Sequence, residues 1–326
     1  VAARTGDCVL GIDVGGTKMA SAAVDRAGNI LLRMDVASPS DDGEMMVSTL
    51  VDLARHTIAA CSEKNLGVAA VGLGAAGFVL AAQGLMISSP NIAWADVPLK
   101  MVLTDGTGLP SFIDNDGNAA ALGERFAGVC RGVDDFVYIT LGTGIGGGVF
   151  SGAKLLRGHR GTAGELGHMI VEPDGPLCAC GGRGCLEVMA SGTALEREAA
   201  RLMAARPESA LNGLCGGNPE RLTGEMVSEA AEAGDAAALE AFARVAYYLG
   251  LGIVSLIHIF DPRMVVIGGG VSHSGHLLLD EVNRVVAERG IPALVESTSI
   301  VVSTLGTEAG ILGAAALAWE GIGRLP

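Results

Sequence analysis

The chain has 326 residues, of which 49% are hydrophobic and 18% charged, and its 22 basic against 36 acidic side chains leave a formal charge of -14. That length favours two domains over one core, and the acidic balance excludes nucleic acid as an expected partner, because a duplex would meet repulsion over most of the surface. No apolar run is expected to span a bilayer, since Ile253 to Phe260 is interrupted by Ser255 and His258, and Val1 to Cys8 does not read as a secretory signal; a soluble, cytoplasmic protein with no membrane partner is expected.

The first predicted strand, Cys8 to Val14, runs through Gly15-Gly16-Thr17 into a second apolar stretch, Met19 to Val24, closed by Asp25-Arg26-Ala27-Gly28-Asn29. Then follow a helical pattern over 44–65, strands over 68–73 and 111–113, and a helix over 119–130. At Phe136 to Leu141 the opening unit recurs: a strand, the turn Gly142 to Gly148, and a return through Val149-Phe150. Helices are predicted over 194–206, 236–259, 275–289 and 308–319, and strands over 264–267 and 299–302. Two copies of strand, glycine turn and strand, each heading alternating strands and helices, predict a duplicated α/β fold with an interdomain cleft. The predicted division is a small domain of 1–118 plus 308–326 and a large one of 119–307.

Asp13-Val14-Gly15-Gly16-Thr17-Lys18 offers backbone N–H groups and the Thr17 hydroxyl to an anion. Asp13 beside phosphates makes sense if Mg2+ or its water shell lies between them. Thr143 and Gly144 in the second turn, and Gly269 and Gly270 after the strand at 264–267, complete three glycine turns at strand ends, as one nucleotide in a cleft would require. The pattern G-x-G-x-x-G occurs at Gly72 to Gly77 and at Gly142 to Gly147, but each runs into strand-like sequence, whereas a dinucleotide-binding turn opens a helix.

Asp114-Asn115-Asp116-Gly117-Asn118 ends a strand before a helix, where Asp and Asn are common caps. A kinase acting on a hydroxyl also needs a carboxylate to take the proton as the bond to phosphorus forms, and Asp116 is the candidate base, with Asn115 on a neighbouring hydroxyl. Downstream, His168, Cys178, Cys180 and Cys185 form a closed tetrahedral Zn2+ set with a structural role. Glu165 and Glu187 flank that loop and suit the reading of sugar hydroxyls. Cys8, Cys61, Cys130 and Cys215 are scattered singly and read as ordinary buried thiols.

These motifs resemble the ROK family of repressors and sugar kinases, among its members the bacterial glucokinases most closely, over nearly the whole chain. Asp13 to Lys18 and Leu141 to Gly144 are similar to its phosphate motifs, Asn115-Asp116 to its catalytic pair, and Gly164 to His168 with Cys178 to Glu187 to its signature. The resemblance implies an actin-like ATPase (ribonuclease H-like) fold, Mg-ATP, phosphorylation of a sugar 6-hydroxyl with glucose as the leading acceptor, and a homodimer or homotetramer. It implies sugar contacts at Gly74, Asn115, Asp116, Glu165, His168 and Glu187, and structural Zn2+ on His168, Cys178, Cys180 and Cys185. Ala76 stands where the family commonly has Pro, which bears on fine sugar preference. Kinases for N-acetylmannosamine, fructose or allose are rivals; the absence of a basic run disfavours a polyphosphate donor. From another class, a non-catalytic sugar-sensing regulator would need a DNA-binding segment, for which no room is expected ahead of Cys8, and would not need Asp116.

Overall fold

The computed structural model describes residues 4–270 and 274–324. In chain order the elements are β1 (Arg4–Val14), β2 (Lys18–Val24), β3 (Ile30–Ala37), α1 (Gly43–Glu63), β4 (Leu66–Ala75), β5 (Phe78–Leu80), β6 (Leu85–Ser88), β7 (Ala95–Val97), α2 (Leu99–Thr107), β8 (Ser111–Asn115) and α3 (Asp116–Ala127). They continue with β9 (Phe136–Leu141), β10 (Ile145–Ser151), β11 (Lys154–Leu155), α4 (Leu186–Ala190), α5 (Gly192–Ala204), α6 (Ala210–Leu214), α7 (Gly224–Glu232) and α8 (Ala236–Phe260). Last come β12 (Met264–Gly268), α9 (Gly275–Arg289), α10 (Pro292–Val295), β13 (Ser299–Val302) and α11 (Ala309–Gly321).

The two large sheets have the same plan. One runs β3-β2-β1-β4-β8 and the other β11-β10-β9-β12-β13. In the first, β1, β2 and β3 pair antiparallel while β4 and β8 join parallel; in the second, β11 pairs antiparallel with β10, and β12 lies parallel between β9 and β13. The predicted repeat of strand, glycine turn and strand is therefore the start of a repeated five-stranded sheet. Neither G-x-G-x-x-G turn opens a helix: Gly77 leads into β5, and Gly147 lies inside β10.

The chain divides into two compact units, Val1–Asp134 with Gly148–Gly164 and Thr307–Pro326, and Asp135–Gly147 with Glu165–Gly306. The predicted division at 118/119 falls elsewhere, because α3 stays with the first unit. Its partner is α11, and the two helices meet at glycines: a Cβ on Gly123 would strike the Ala309 carbonyl, and one on Gly313 the Ala119 carbonyl. α11 is apolar all round, with Ile311 to Trp319 buried, as expected of a helix packed on several sides. Gly11 of β1 and Gly72 of β4 likewise clear its path, since side chains there would collide with the Ile311 and Ala314 carbonyls. The opposite side of the sheet is covered by α1, whose Met46, Leu50 and Leu53 join Leu10, Ile12 and Leu73 in the main core of this unit. Burial from both sides explains why Cys8 to Val14 reads as a nearly continuous apolar run.

In the second unit, α8 passes the length and hydropathy test for a membrane span, contrary to the expectation that no segment would. Its 18-residue apolar window is 61% buried, and its buried residues, among them Phe242, Leu249, Ile253 and Leu256, mark a core helix. Asp235 caps it by accepting from Ala238 N at 2.9 Å, a contribution of about 1 kcal/mol. The scattered thiols Cys8, Cys61, Cys130 and Cys215 are all buried.

The α3–α11 contact leaves no room for a side chain. Gly313→Val should destabilise the fold by about 3 kcal/mol, the scale of overpacking, measured by denaturant titration; an unchanged midpoint would contradict close backbone packing there.

Candidate functional site

In the first unit the candidate residues gather at the carboxyl ends of adjacent parallel strands, where open α/β sheets place ligands. Asp13 of β1 lies beside Gly74 of β4, and Gly74 beside Asp114 of β8. One step further along, Val14, Ala75 and Asn115 align in the same way. Gly74 is a glycine for a packing reason: its Cβ would sit 2.9 Å from the Ala119 methyl of α3.

Asn115 is the N-cap of α3. Its Oδ1 accepts from Gly117 N at 2.8 Å and Asn118 N at 3.1 Å, while its Nδ2 donates to Gly77 O at 3.1 Å and to Asp116 Oδ1 at 2.9 Å. Every polar atom of this amide is engaged, and its Nδ2 orients Asp116. Burial raises the Asp116 carboxyl above its ordinary range, opposed by hydrogen bonds from the Gly117 and Asp116 amides and from Asn115. Asp13 is pushed up to about 7, first by burial and then by the charge of Asp116, with Lys18 and Arg33 pulling the other way.

Asp114, which the sequence marked only as part of a capping run, is the anchor of this corner. Its side chain is 0% exposed and pairs through Oδ2 with Arg157 Nε at 2.8 Å. Its Oδ1 accepts from Asn115 N at 2.8 Å and from Asn118 Nδ2 at 3.0 Å. Arg157 was not a candidate from sequence; its signal is the 43-residue separation from Asp114 that only the fold closes.

The first glycine turn is tight: Gly15 N donates to Lys18 O at 3.0 Å, and Ser38 Oγ to Gly15 O at 2.7 Å. Gly15 and Gly16 are partly exposed and Thr17 and Lys18 exposed, so the turn can present N–H groups to an anion. Lys18 pairs across the sheet with Asp35 at 3.5 Å and would have to leave it to reach a phosphate.

In the second unit, the turn at Thr143 and Gly144 is held from below by the start of α5. Gly192 N donates to Gly142 O at 2.8 Å, and Thr193 Oγ1 to Thr143 O at 2.8 Å. Gly269 has φ +85° and lies against the Leu141 backbone at the end of β9, where a Cβ would collide; Gly270 has open space at its Cα. Glu187 is not a solvated surface charge: its Oε2 accepts from Ile145 N at 3.0 Å, just after the turn, and its Oε1 lies 3.8 Å from Cys178 Sγ.

His168, Cys178, Cys180 and Cys185 come together, each offering a ligand atom within 4.8 Å of the others. The Cys180 and Cys185 sulfurs are 3.7 Å apart, and Cys178 Sγ is 3.7 Å from His168 Nδ1. A tetrahedral Zn2+ with bonds of about 2.3 Å separates its sulfur donors by about 3.8 Å, so the set fits that ion, and the separations are far beyond a disulfide bond of about 2 Å. The other ring nitrogen, Nε2, lies 3.9 Å from Glu165 Oε2. Without an ion, burial raises Cys178 and pushes Cys185 up to about 12, whereas the Gly182 amide lowers Cys180; metal binding must therefore release protons.

A family model described as the ROK family matches residues 9–320. A glucokinase of Streptomyces coelicolor is 39% identical over 322 residues, covering 95% of this chain and 97% of that protein. Among solved structures, a ROK family glucokinase from Streptomyces griseus, in complex with glucose and AMPPNP, superposes with a TM-score of 0.85 at 41% identity, covering 96% of this chain and 100% of that one. A ROK family transcriptional regulator, a homolog of the E. coli MLC protein, superposes with a TM-score of 0.86 at 26% identity, covering 95% of this chain and 77% of that one.

The unfolded Asp13 ionises near 3.8 and the folded one near 7, so between these values the fold binds the extra proton and its stability falls as pH rises. In metal-free buffer Asp13→Asn should raise the melting temperature at about pH 8 and change it little at about pH 4; a lower melting temperature at the higher pH would contradict this. Elemental analysis should find about one zinc per chain, lost in Cys180→Ser together with stability, while full zinc retention in that variant would exclude the four-donor set.

Proposed function

The chain belongs to the ROK family, and from that membership we propose that it is a sugar kinase that transfers the γ-phosphoryl group of ATP to the 6-hydroxyl of glucose, with Asp116 as general base. The fold is the actin-like ATPase fold of the ROK sugar kinases. The observation that carries the reading is the Asp116 carboxyl, held by Asn115 at the head of α3 and raised above its ordinary range by burial. Glucose as acceptor and ATP as donor follow the glucokinase relatives and the ligands of the Streptomyces griseus structure.

On this reading Asp116 accepts the proton of the attacking hydroxyl while its hydrogen bond from Asn115 keeps the carboxylate aimed. Asn115 contacts sugar only by exchanging its bond to Gly77 O for one to a hydroxyl. Gly15, Gly16, Thr17, Lys18, Thr143, Gly144, Gly269 and Gly270 are the donor-side residues, the backbone N–H groups of their turns serving the phosphates, with Gly15 N having first to leave Lys18 O. Asp13 would hold Mg2+ or its water shell, and that ion supplies charge neutralisation when bound; a carboxyl pushed up to about 7 by burial and a neighbouring Asp fits a cation site. Gly74, Glu165, His168 and Glu187 complete the sugar side. His168, Cys178, Cys180 and Cys185 would supply all four ligands of a Zn2+ ion, which when bound would hold this loop. A homodimer or homotetramer in the cytoplasm is part of the same reading.

The similarity to a transcriptional regulator supports a second reading, a sugar sensor without turnover. Asp116→Asn separates the two. A kinase should lose about 1000-fold in kcat, within the range for removing a general base, with sugar affinity by calorimetry changed only a few-fold. Near-normal turnover in the variant would remove Asp116 as the base.

A further inference from the structure

The corner that carries Asp116 rests on a charge that lies outside it. Asp114 is the penultimate residue of β8, and its carboxylate is fully buried. A buried carboxylate is tolerated only when paired and hydrogen-bonded. Two of its bonds are local and close the turn: Asn115 N and Asn118 Nδ2 both donate to Oδ1. The positive charge comes from Arg157, whose Nε donates to Oδ2 at 2.8 Å.

Arg157 is itself fixed at its backbone. Leu156 N donates to Val149 O at 2.8 Å and continues the β10–β11 hairpin, and Ala163 N donates to Arg157 O at 3.1 Å to close the following loop. That loop turns through Gly158, Gly161 and Gly164, each with positive φ, and Gly161 passes close to the backbone of Val79 to Ala81. It then leads in sequence directly to Glu165. The Arg157 side chain is 32% exposed while Asp114 is fully buried, so the pair is reached by solvent only from the arginine side.

Resting on the sugar-kinase reading above, we propose that Arg157 is a positioning residue for phosphoryl transfer. Its guanidinium neutralises Asp114 and thereby holds the β8–α3 turn that presents Asn115 and Asp116. It also fastens the loop 156–164 to the same carboxylate, so the segment leading to Glu165 and the turn carrying the base share one anchor. Without the guanidinium the Asp114 carboxylate must gain a proton or water, and either change loosens its grip on Asn115 N and Asn118 Nδ2. The Asn115 cap then shifts and Asp116 with it, a displacement of the kind that costs about 100-fold in rate when it reaches 1 Å.

The test compares Arg157→Met, Arg157→Lys and the double variant Asp114→Asn with Arg157→Met, each assayed with Mg-ATP and glucose well below its melting temperature. Arg157→Met should lower kcat by about 100-fold while the KM for ATP changes less than threefold. Arg157→Lys should recover part of that loss by restoring the charge. The double variant should also recover kcat, because a neutral amide in place of the buried carboxylate removes the need for a cation; a guanidinium that instead touched the substrate would leave the double variant as slow as the single one. A readout independent of turnover accompanies this: hydrogen exchange of the amides of Asn115, Gly117 and Asn118 should quicken at least tenfold in Arg157→Met and return toward wild type in the double variant, with β12 and β13 unchanged. Wild-type protein silent on every sugar would refute the kinase reading, and exchange would still decide the anchor. Unchanged kcat with unchanged exchange in Arg157→Met, or failure of the double variant to recover either, would overturn the proposal.

Discussion

The buried carboxylate of Asp114 is the constraint on which the candidate catalytic corner depends. It lies where β8 becomes α3, and a buried charge in that position is tolerated only when it is paired and hydrogen-bonded. Here it is met by a backbone amide, a side-chain amide and a guanidinium. The consequence is a turn with little freedom: Asn115 caps the helix with one side of its amide and orients Asp116 with the other. Burial raises Asp116, and burial with the charge of Asp116 raises Asp13 on β1, beyond the intervening β4. Two acids held close in a poorly solvated place make sense where a cation and a proton are both to be received.

Glycine serves two purposes in this chain. At Gly144 it makes room for the Glu187 carboxylate; at Gly11, Gly72, Gly123 and Gly313 it lets the apolar helix α11 lie directly on β1, β4 and α3. The second use fixes the strands that lead into this corner, because β1 and β4 are covered from one side by α11 and from the other by α1. In the second unit the cluster of His168, Cys178, Cys180 and Cys185 has an analogous relation to the Thr143–Gly144 turn. Glu187 reaches from the cysteine loop to Ile145 N, so the loop and the turn are fastened together by one carboxylate.

What was legible in the sequence was local. The repeated strand and glycine turn, the cysteine cluster and the acid at a strand end each announce themselves within ten residues or so, and the repeated sheets and the metal-ligand geometry follow from them. What was not legible depended on distance. Arg157 carries no motif, and its partner lies 43 residues away. The packing of α3 on α11, which moves the unit division away from residue 118, joins opposite ends of the chain through glycines that look like ordinary helix weaknesses. The small sheet of β5, β6 and β7 is built from strands of three and four residues, too short for alternation to show. Asn115 was read as a sugar contact within a run that caps a helix; that its amide is already occupied, by Gly77 O and Asp116 on one side and the cap on the other, appears only once the turn is folded.

The most direct measurement is ADP formation by purified, zinc-containing protein with Mg-ATP and each of glucose, N-acetylmannosamine, fructose, mannose and allose, against a control without sugar. A glucose kinase should form ADP only with sugar present and fastest with glucose. Sugar-dependent turnover confined to another sugar would keep the chemistry of Asp116 and contradict glucose as the acceptor, while no sugar-dependent ADP from folded protein would contradict the assignment of a kinase.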